Sequence, residues 1–345
     1  MRASPLLGFA LLLLAGPLAA CATTPPMERG GQPALAGRTV VITGASSGFG
    51  RGIAVAMAQR GANVVLAARR AELLEQVAAE ARAAGGQALV VPTDVSKPEA
   101  VAQLAQAAEA RFGRVDVWIN NAGIGALGRF DETPVADHNR IVDVNLKGVI
   151  HGSHEALGRF RRQGHGTLIN MGSVVSQVPM PYYASYVATK HAVLGLSEAL
   201  NQELRANGEG RRIRVVTVMP WAADTPWFDQ AGNYSGRRPA KIMPDQPETI
   251  VNAVVAATLA PRDRVAPGLK AKAGLTGHRL FPNLSNAVAG RAVHTAQAAS
   301  PPDAPSTSGT LYQPLPSARG VRGQQPAYGV SPPEAPPPTS PAGGR

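Results

Sequence analysis

Tyr186 and Lys190 lie four residues apart in YASYVATKHAVLGLSEALNQELR, a stretch of helical pattern, so both side chains leave one helix face. A phenol with a pKa of about 10 is a poor acid–base group at neutral pH, and a neighbouring ammonium favours the phenolate and helps bring it into range. Ser173 follows the apolar run GTLINM, 13 residues before the tyrosine, where its hydroxyl can hydrogen-bond a substrate oxygen. Asn145 lies 28 residues before Ser173, inside VNLKG, where its amide can hold a water or a helix carbonyl. Taken singly, these are a surface pair, a cap and a local kink. Taken together with the glycine turn described next, they form an acid–base set.

The elements that must position this set alternate along the chain. RTVVITG, ANVVLAAR, QALVVPTDV, VDVWINNAG, GTLINMGS and RIRVVTVMP read as short apolar strands. Between them lie longer amphipathic segments, including ELLEQVAAEARAAGG, which ends in a double glycine as a helix stop should. A long helix is expected from about 135 to 163, and a late one over PETIVNAVVAATLA. Buried strands alternating with helices indicate a parallel sheet covered on both faces. The expected fold is α/β: a single Rossmann-like, doubly wound parallel sheet with flanking helices.

The first strand runs into Thr43-Gly44-Ala45-Ser46-Ser47-Gly48-Phe49-Gly50 and then a helix. Gly44, Gly48 and Gly50 let the backbone turn tightly and approach a phosphate, while the helix start offers free N–H groups and a positive dipole. The spacing differs from the plain G-x-G-x-x-G, but the strand–turn–helix setting is present, and no Lys-Ser or Lys-Thr follows as in a P-loop. The second strand ends at Arg69 and Arg70, with Ala68 where an acid would hold a ribose diol. Two arginines suit a phosphorylated ribose, which favours NADP(H) over NAD(H), with NAD(H) the second choice. Asp94, followed by Val95, closes the third strand near the adenine edge, and Asn121, Ala122 and Gly123 close the fourth.

In this order and at these spacings, TGASSGFG, Asp94-Val95, NNAG, Asn145, Ser173 and YVATK resemble the short-chain dehydrogenase/reductase family over residues 37 to 260. The resemblance implies an oxidoreductase that interconverts a carbonyl and a secondary alcohol by hydride transfer with a nicotinamide cofactor. Tyr186 would be the general acid–base, Lys190 would lower its pKa and bind the nicotinamide ribose, Ser173 would polarise the substrate oxygen, and Asn145 would support a relay water. Pro220 and Thr225 match cofactor-contacting positions, but Trp221 stands where the family commonly has Gly, which adds bulk beside the nicotinamide. The family also implies a homodimer or homotetramer, with the helices at about 135–163 and 183–205, carrying Val187, Leu194 and Leu196, as candidate packing surfaces.

The segment 221–244 is irregular and carries Trp221, Trp227, Phe228 and Tyr234, enough aromatic area for a lid over a medium-sized apolar substrate. His151 and His154 have no complete ligand set around them, so no metal site is expected. GSVVS lacks a nucleophile elbow, which removes Ser173 as a hydrolase nucleophile. The net charge of +11 permits nucleic acid, membrane or phosphorylated ligands without choosing, and no nucleic-acid arm is expected.

The ends differ from the middle. Arg2, an apolar stretch from Pro5 to Ala20 and Leu18-Ala19-Ala20-Cys21 resemble a bacterial lipoprotein signal with Cys21, the sole cysteine, as the lipidated residue. Residues 22–36 read as a tether, 37–295 as the folded domain, and 297–345 as a Pro-rich disordered tail, with LYQPLP able to lie along the domain as a strap. A lipid-anchored location in the cell envelope is therefore expected, with a cytoplasmic enzyme as the alternative. The rival reading of the whole chain is a membrane-attached nucleotide-binding scaffold with little turnover.

Overall fold

A computed structural model describes residues 34–302, 304–315 and 319–323. The leader at 1–21, Cys21 and most of the tether lie outside them, as do residues 324–345.

The order of elements follows the alternation read above. β1 (Thr39–Thr43) leads to α1 (Gly48–Ala58), β2 (Asn63–Ala68) to α2 (Ala71–Ala83), and β3 (Gln87–Pro92) to α3 (Pro98–Phe112). Then come β4 (Val117–Asn120), the short β5 (Ala126–Leu127), α4 (Val135–Val142), a π-helical turn (Asp143–Lys147), α5 (Gly148–Gln163) and β6 (Gly166–Met171). The chain continues through α6 (Ala184–Ala206), β7 (Ile213–Val218), α7 (Trp227–Gln230), β8 (Gly232–Asn233), α8 (Pro247–Leu259), β9 (Arg264–Val265), α9 (Gly268–Leu280) and α10 (Pro282–Ala299).

Seven parallel strands form one sheet in the order β3-β2-β1-β4-β6-β7-β9. The strands are predominantly apolar because successive side chains enter two different cores. Val40, Ile42, Val64 and Leu66 face the layer of α1, α2 and α8, whereas Val41, Val65 and Ala67 face α3, α5 and α6. The strand order reverses between β1 and β4, which opens a crevice at the strands' C-terminal ends. The glycine turn, Asp94, Asn121 and Ser173 all sit at those ends.

Four differences from the sequence reading have physical causes. The helix expected over 135–163 is interrupted by the π turn, whose extra residue sets Asn145 inward. The stretch 268–295, placed in the folded domain by sequence without a regular element of its own, forms α9 and α10. Its glycines cost helix propensity, but Gly274 lies against the Trp221 ring and Pro282 occupies the first turn of α10, where proline is tolerated. The tail expected to be disordered from 297 is placed against the domain as far as residues 304–315 and 319–323. Leu311 is buried at 1% exposure, and the carbonyls of 310–312 accept hydrogen bonds from Arg69. Lastly, Val187 and Leu194 are buried within the chain, so they offer no packing surface to a second copy.

Candidate active site

The glycine turn is shaped by contacts that no side chain could share. Gly44 has φ +67°, and a Cβ there would lie 2.8 Å from the Ala122 backbone. A Cβ on Gly50 would lie 2.2 Å from the Gly44 carbonyl oxygen, so Gly50 serves close packing and does not line the crevice. Asn121 stitches the turn to β4: its Nδ2 donates to the Thr43 carbonyl at 2.9 Å, and its backbone N–H donates to the Thr43 hydroxyl. α1 begins with neither a side-chain cap nor an acid in its first turn, so its positive end attracts an anion.

At the end of β2 the two arginines behave differently. Arg69 donates to the carbonyls of Thr310, Leu311 and Tyr312 and thereby holds the C-terminal strap. Arg70 turns to the glycine loop, donating from Nη2 to the Ser46 and Ser47 hydroxyls at 2.9 Å each and from Nη1 to the Leu315 carbonyl at 3.1 Å. Burial pushes the Arg70 guanidinium down, and the neighbouring Arg69 and Arg319 charges add to this. Such crowding of positive charge is relieved by an anion. The strap also touches the phosphate turn itself, because the Gly48 N–H donates to the Gly320 carbonyl at 2.9 Å.

Asp94 lines the crevice, but its carboxylate is engaged. One oxygen accepts from Arg140 at 2.8 Å and the other from Ser96, which together hold it below the usual carboxylate range against the opposing effect of burial. Arg140 was not singled out in the sequence. It lies in the amphipathic α4, and only the tertiary pairing distinguishes it from an ordinary surface arginine.

A cavity of about 510 Å³ runs from this turn to the acid–base set. Ser173, Tyr186, Lys190, Pro220, Thr225, Val95, Ala122 and Gly123 all border it. The Lys190 ammonium donates to the Met171 carbonyl at 2.6 Å and lies 5.5 Å from the centre of the Tyr186 ring. Burial dominates both groups. It pushes the phenol up to about 12, partly opposed by the hydrogen bond with Ser173, and pushes the lysine down to about 8. In the protein alone, loss of water thus favours the neutral phenol. At neutral pH the site presents a protonated phenol, which suits proton donation to a carbonyl oxygen.

Asn145 does not border the cavity. Its Oδ1 accepts from the Ile124 N–H and its Nδ2 donates to the Ile124 carbonyl, both at 2.8 Å. It clamps the loop after β4 to the π turn.

The aromatic wall is only partly the one expected. Trp227 lies 5.0 Å from the Tyr186 ring, centre to centre, and Phe228 packs edge-on against it. Trp221 is fixed by an Nε1–H donation to the Ile242 carbonyl at 3.2 Å. Fully buried Lys241 pairs with Asp224 at 2.9 Å and pins the segment from below. Tyr234 is not part of this wall. The pairing of β8 with β5 turns it the other way, and its hydroxyl donates to Asp137, which also accepts from Tyr312. Val174, Val178, Met180 and Tyr183 complete the apolar end, together with Ser285, Val288, Ala289 and Ala292 from α10. Residues spread over distant elements carry no shared spacing, so sequence reading missed them. Among the described residues no cluster of three or more metal-ligating side chains occurs.

An open α/β sheet with a glycine-turn anion site at one end of a cavity and a Ser–Tyr–Lys set at the other defines a dinucleotide-dependent oxidoreductase. Residues 38–234 match the short chain dehydrogenase family model, and the chain belongs to that family. It is 33% identical over 281 residues to the uncharacterized oxidoreductase YxnA of Bacillus subtilis, covering 81% of this chain and 78% of the relative. It is 40% identical over 196 residues to 3beta-hydroxysteroid dehydrogenase 1 of Eggerthella lenta, covering 56% and 73% of the two chains. Among solved structures, a short chain dehydrogenase/reductase from Burkholderia phymatum in complex with NAD superposes with a TM-score of 0.65 at 28% identity, covering 72% of this chain and 95% of that one. An alcohol dehydrogenase from Thermococcus sibiricus complexed with 5-hydroxy-NADP gives 0.57 at 32% identity, covering 67% and 94%. The groove's residues therefore fit a nicotinamide dinucleotide.

Proposed function

We propose that this protein is an NADP(H)-dependent oxidoreductase that interconverts a medium-sized apolar ketone and its secondary alcohol. The observation that carries the reading is the meeting of Ser173, Tyr186 and Lys190 at an apolar end of the same cavity whose other end is the glycine turn. A nicotinamide dinucleotide held by the glycine turn and Arg70 would supply the hydride for the carbonyl carbon in reduction. Tyr186 donates its phenolic proton to the carbonyl oxygen, Ser173 hydrogen-bonds that oxygen, and Lys190 places its charge beside the phenol as the phenolate forms. Trp227, Phe228 and Met180 keep water from the reacting centre.

NADP(H) is favoured because Arg70, with the Ser46 and Ser47 hydroxyls, makes a cationic cradle beside the turn, and no acid stands at Ala68 to receive a ribose diol. The scaffold reading has no use for a Ser–Tyr–Lys set gathered in one cavity and is not favoured. The test is loss of NADPH absorbance when purified protein meets a panel of cyclic and aryl ketones. Reduction of apolar ketones in preference to small polar ones is expected. Tight NADPH binding with no turnover of any panel member would refute the proposal.

A further inference from the structure

The α9–α10 hairpin has two unlike faces. Its inner face is packed: Ala271 joins Val174 and Val178, while Val293 and Ala296 are buried. Its outer face presents Leu269, Leu280, Phe281, Leu284 and Val288, which are 59–82% exposed. These are five of the ten exposed large apolar side chains among the described residues, gathered within 20 positions. Scattered exposed hydrophobes are ordinary, but this many gathered on one hairpin mark a surface that meets something apolar.

Charge identifies what that is. No Asp or Glu occurs from 264 to 302, whereas Lys270, Lys272, Arg279 and Arg291 lie on the two helices. Lys270 pairs with Asp245 at 2.9 Å, which leaves Lys272, Arg279 and Arg291 as exposed cations around the stripe. A second copy docked here about a two-fold axis would set these cations against their own counterparts with no carboxylate on the hairpin to pair them. An anionic bilayer surface satisfies both features at once, taking the apolar stripe below its headgroups and the cations at them.

The cavity gives this surface a use. Val288 belongs both to the exposed stripe and to the cavity wall, and Ser285, Ala289 and Ala292 line the same wall from α10. We propose that the α9–α10 hairpin docks on an anionic membrane surface, so that the substrate mouth opens against the lipid and apolar substrate enters from the bilayer. The docking rests on the fold and its surface, so a failure of the cofactor assignment leaves it standing.

The test uses the full chain with Cys21→Ser and Leu284→Cys, labelled at position 284 with an environment-sensitive fluorophore. Vesicles of phosphatidylcholine alone are compared with vesicles containing phosphatidylglycerol. The label reports its own surroundings, so attachment through any other segment does not mask the result. A blue shift on the anionic vesicles is expected, weakened by salt, with at least a fivefold poorer midpoint when Phe281→Glu is added. A label at Gln76→Cys, exposed on α2, should stay aqueous. The proposal is overturned if the 284 label stays aqueous on vesicles that carry the protein, or if zwitterionic vesicles give an equal shift. It is also overturned if the label is already shielded without vesicles in a dimer seen by light scattering.

Discussion

Removing the Arg70 guanidinium should weaken NADPH binding while leaving NADH binding nearly unchanged. Arg70 reaches the Ser46 and Ser47 hydroxyls at 2.9 Å, so its charge sits at the mouth of the glycine turn, where a ribose 2′-phosphate would lie in this fold. A charge-assisted hydrogen bond to such a group contributes about 1.5–3 kcal/mol. Arg70 is only partly buried, and screening of an exposed ion pair brings the expectation to about 1–2 kcal/mol, roughly a 5–30-fold rise in the NADPH Kd of Arg70→Ala. Arg69→Ala makes the informative control. Its guanidinium is engaged by the carbonyls of Thr310, Leu311 and Tyr312, so its loss should loosen the strap and alter the NADPH-to-NADH ratio less than Arg70→Ala does. Titrations of both reduced cofactors at low and high salt provide the assay, since a charged contact must weaken as ionic strength rises. Equal affinity of the wild type for NADPH and NADH at low salt would refute the reasoning. So would an Arg70→Ala variant that keeps the wild-type ratio.

Lys190, pushed down to about 8, carries its charge below that pH and loses it as pH rises through it. Ketone reduction, which needs the phenol protonated and the ammonium charged, should decline above about 8, and Lys190→Met should be slow and lack that limb. A wild-type profile flat across this value contradicts the assignment. Gly50→Ala forces a Cβ to within 2.2 Å of a backbone oxygen and should cost about 1–3 kcal/mol in denaturant melts, with loss of cofactor binding; an unchanged midpoint would argue against the turn as described. At the other end of the chain, intact-mass measurement on protein from native membranes should find an acylated chain starting at Cys21, lost in Cys21→Ser. An unmodified chain starting at Met1 or Met27 would reject lipid attachment.

The sheet was legible because buried parallel strands need unbroken apolar runs, and six such runs separated by helices leave few alternatives. The acid–base set was legible because a helix fixes Tyr186 and Lys190 on one face and the strand ends fix Ser173 and the glycine turn. What sequence could not reveal depends on contacts between remote segments. LYQPLP reads as a strap in the sequence, but what holds it, the Leu311 carbonyl accepting from both Arg69 and Arg140, joins segments remote along the chain. Tyr234 belonged to an aromatic cluster by sequence, yet the two-residue pairing of β8 with β5 sends it to Asp137. The burial that pushes the Tyr186 phenol up is likewise invisible to spacing, which shows only the neighbouring ammonium.

The most direct test of the central claim compares steady-state ketone reduction by the wild type and Tyr186→Phe, alongside NADPH binding to both. Phenylalanine keeps the ring beside Trp227 and removes only the hydroxyl, so the cavity and the glycine turn stay intact. Loss of acid catalysis of this kind lowers turnover by about 100-fold or more, with NADPH affinity within about threefold of wild type. A Tyr186→Phe protein that reduces the same ketone at the wild-type kcat would show that the proton comes from elsewhere and would contradict the account.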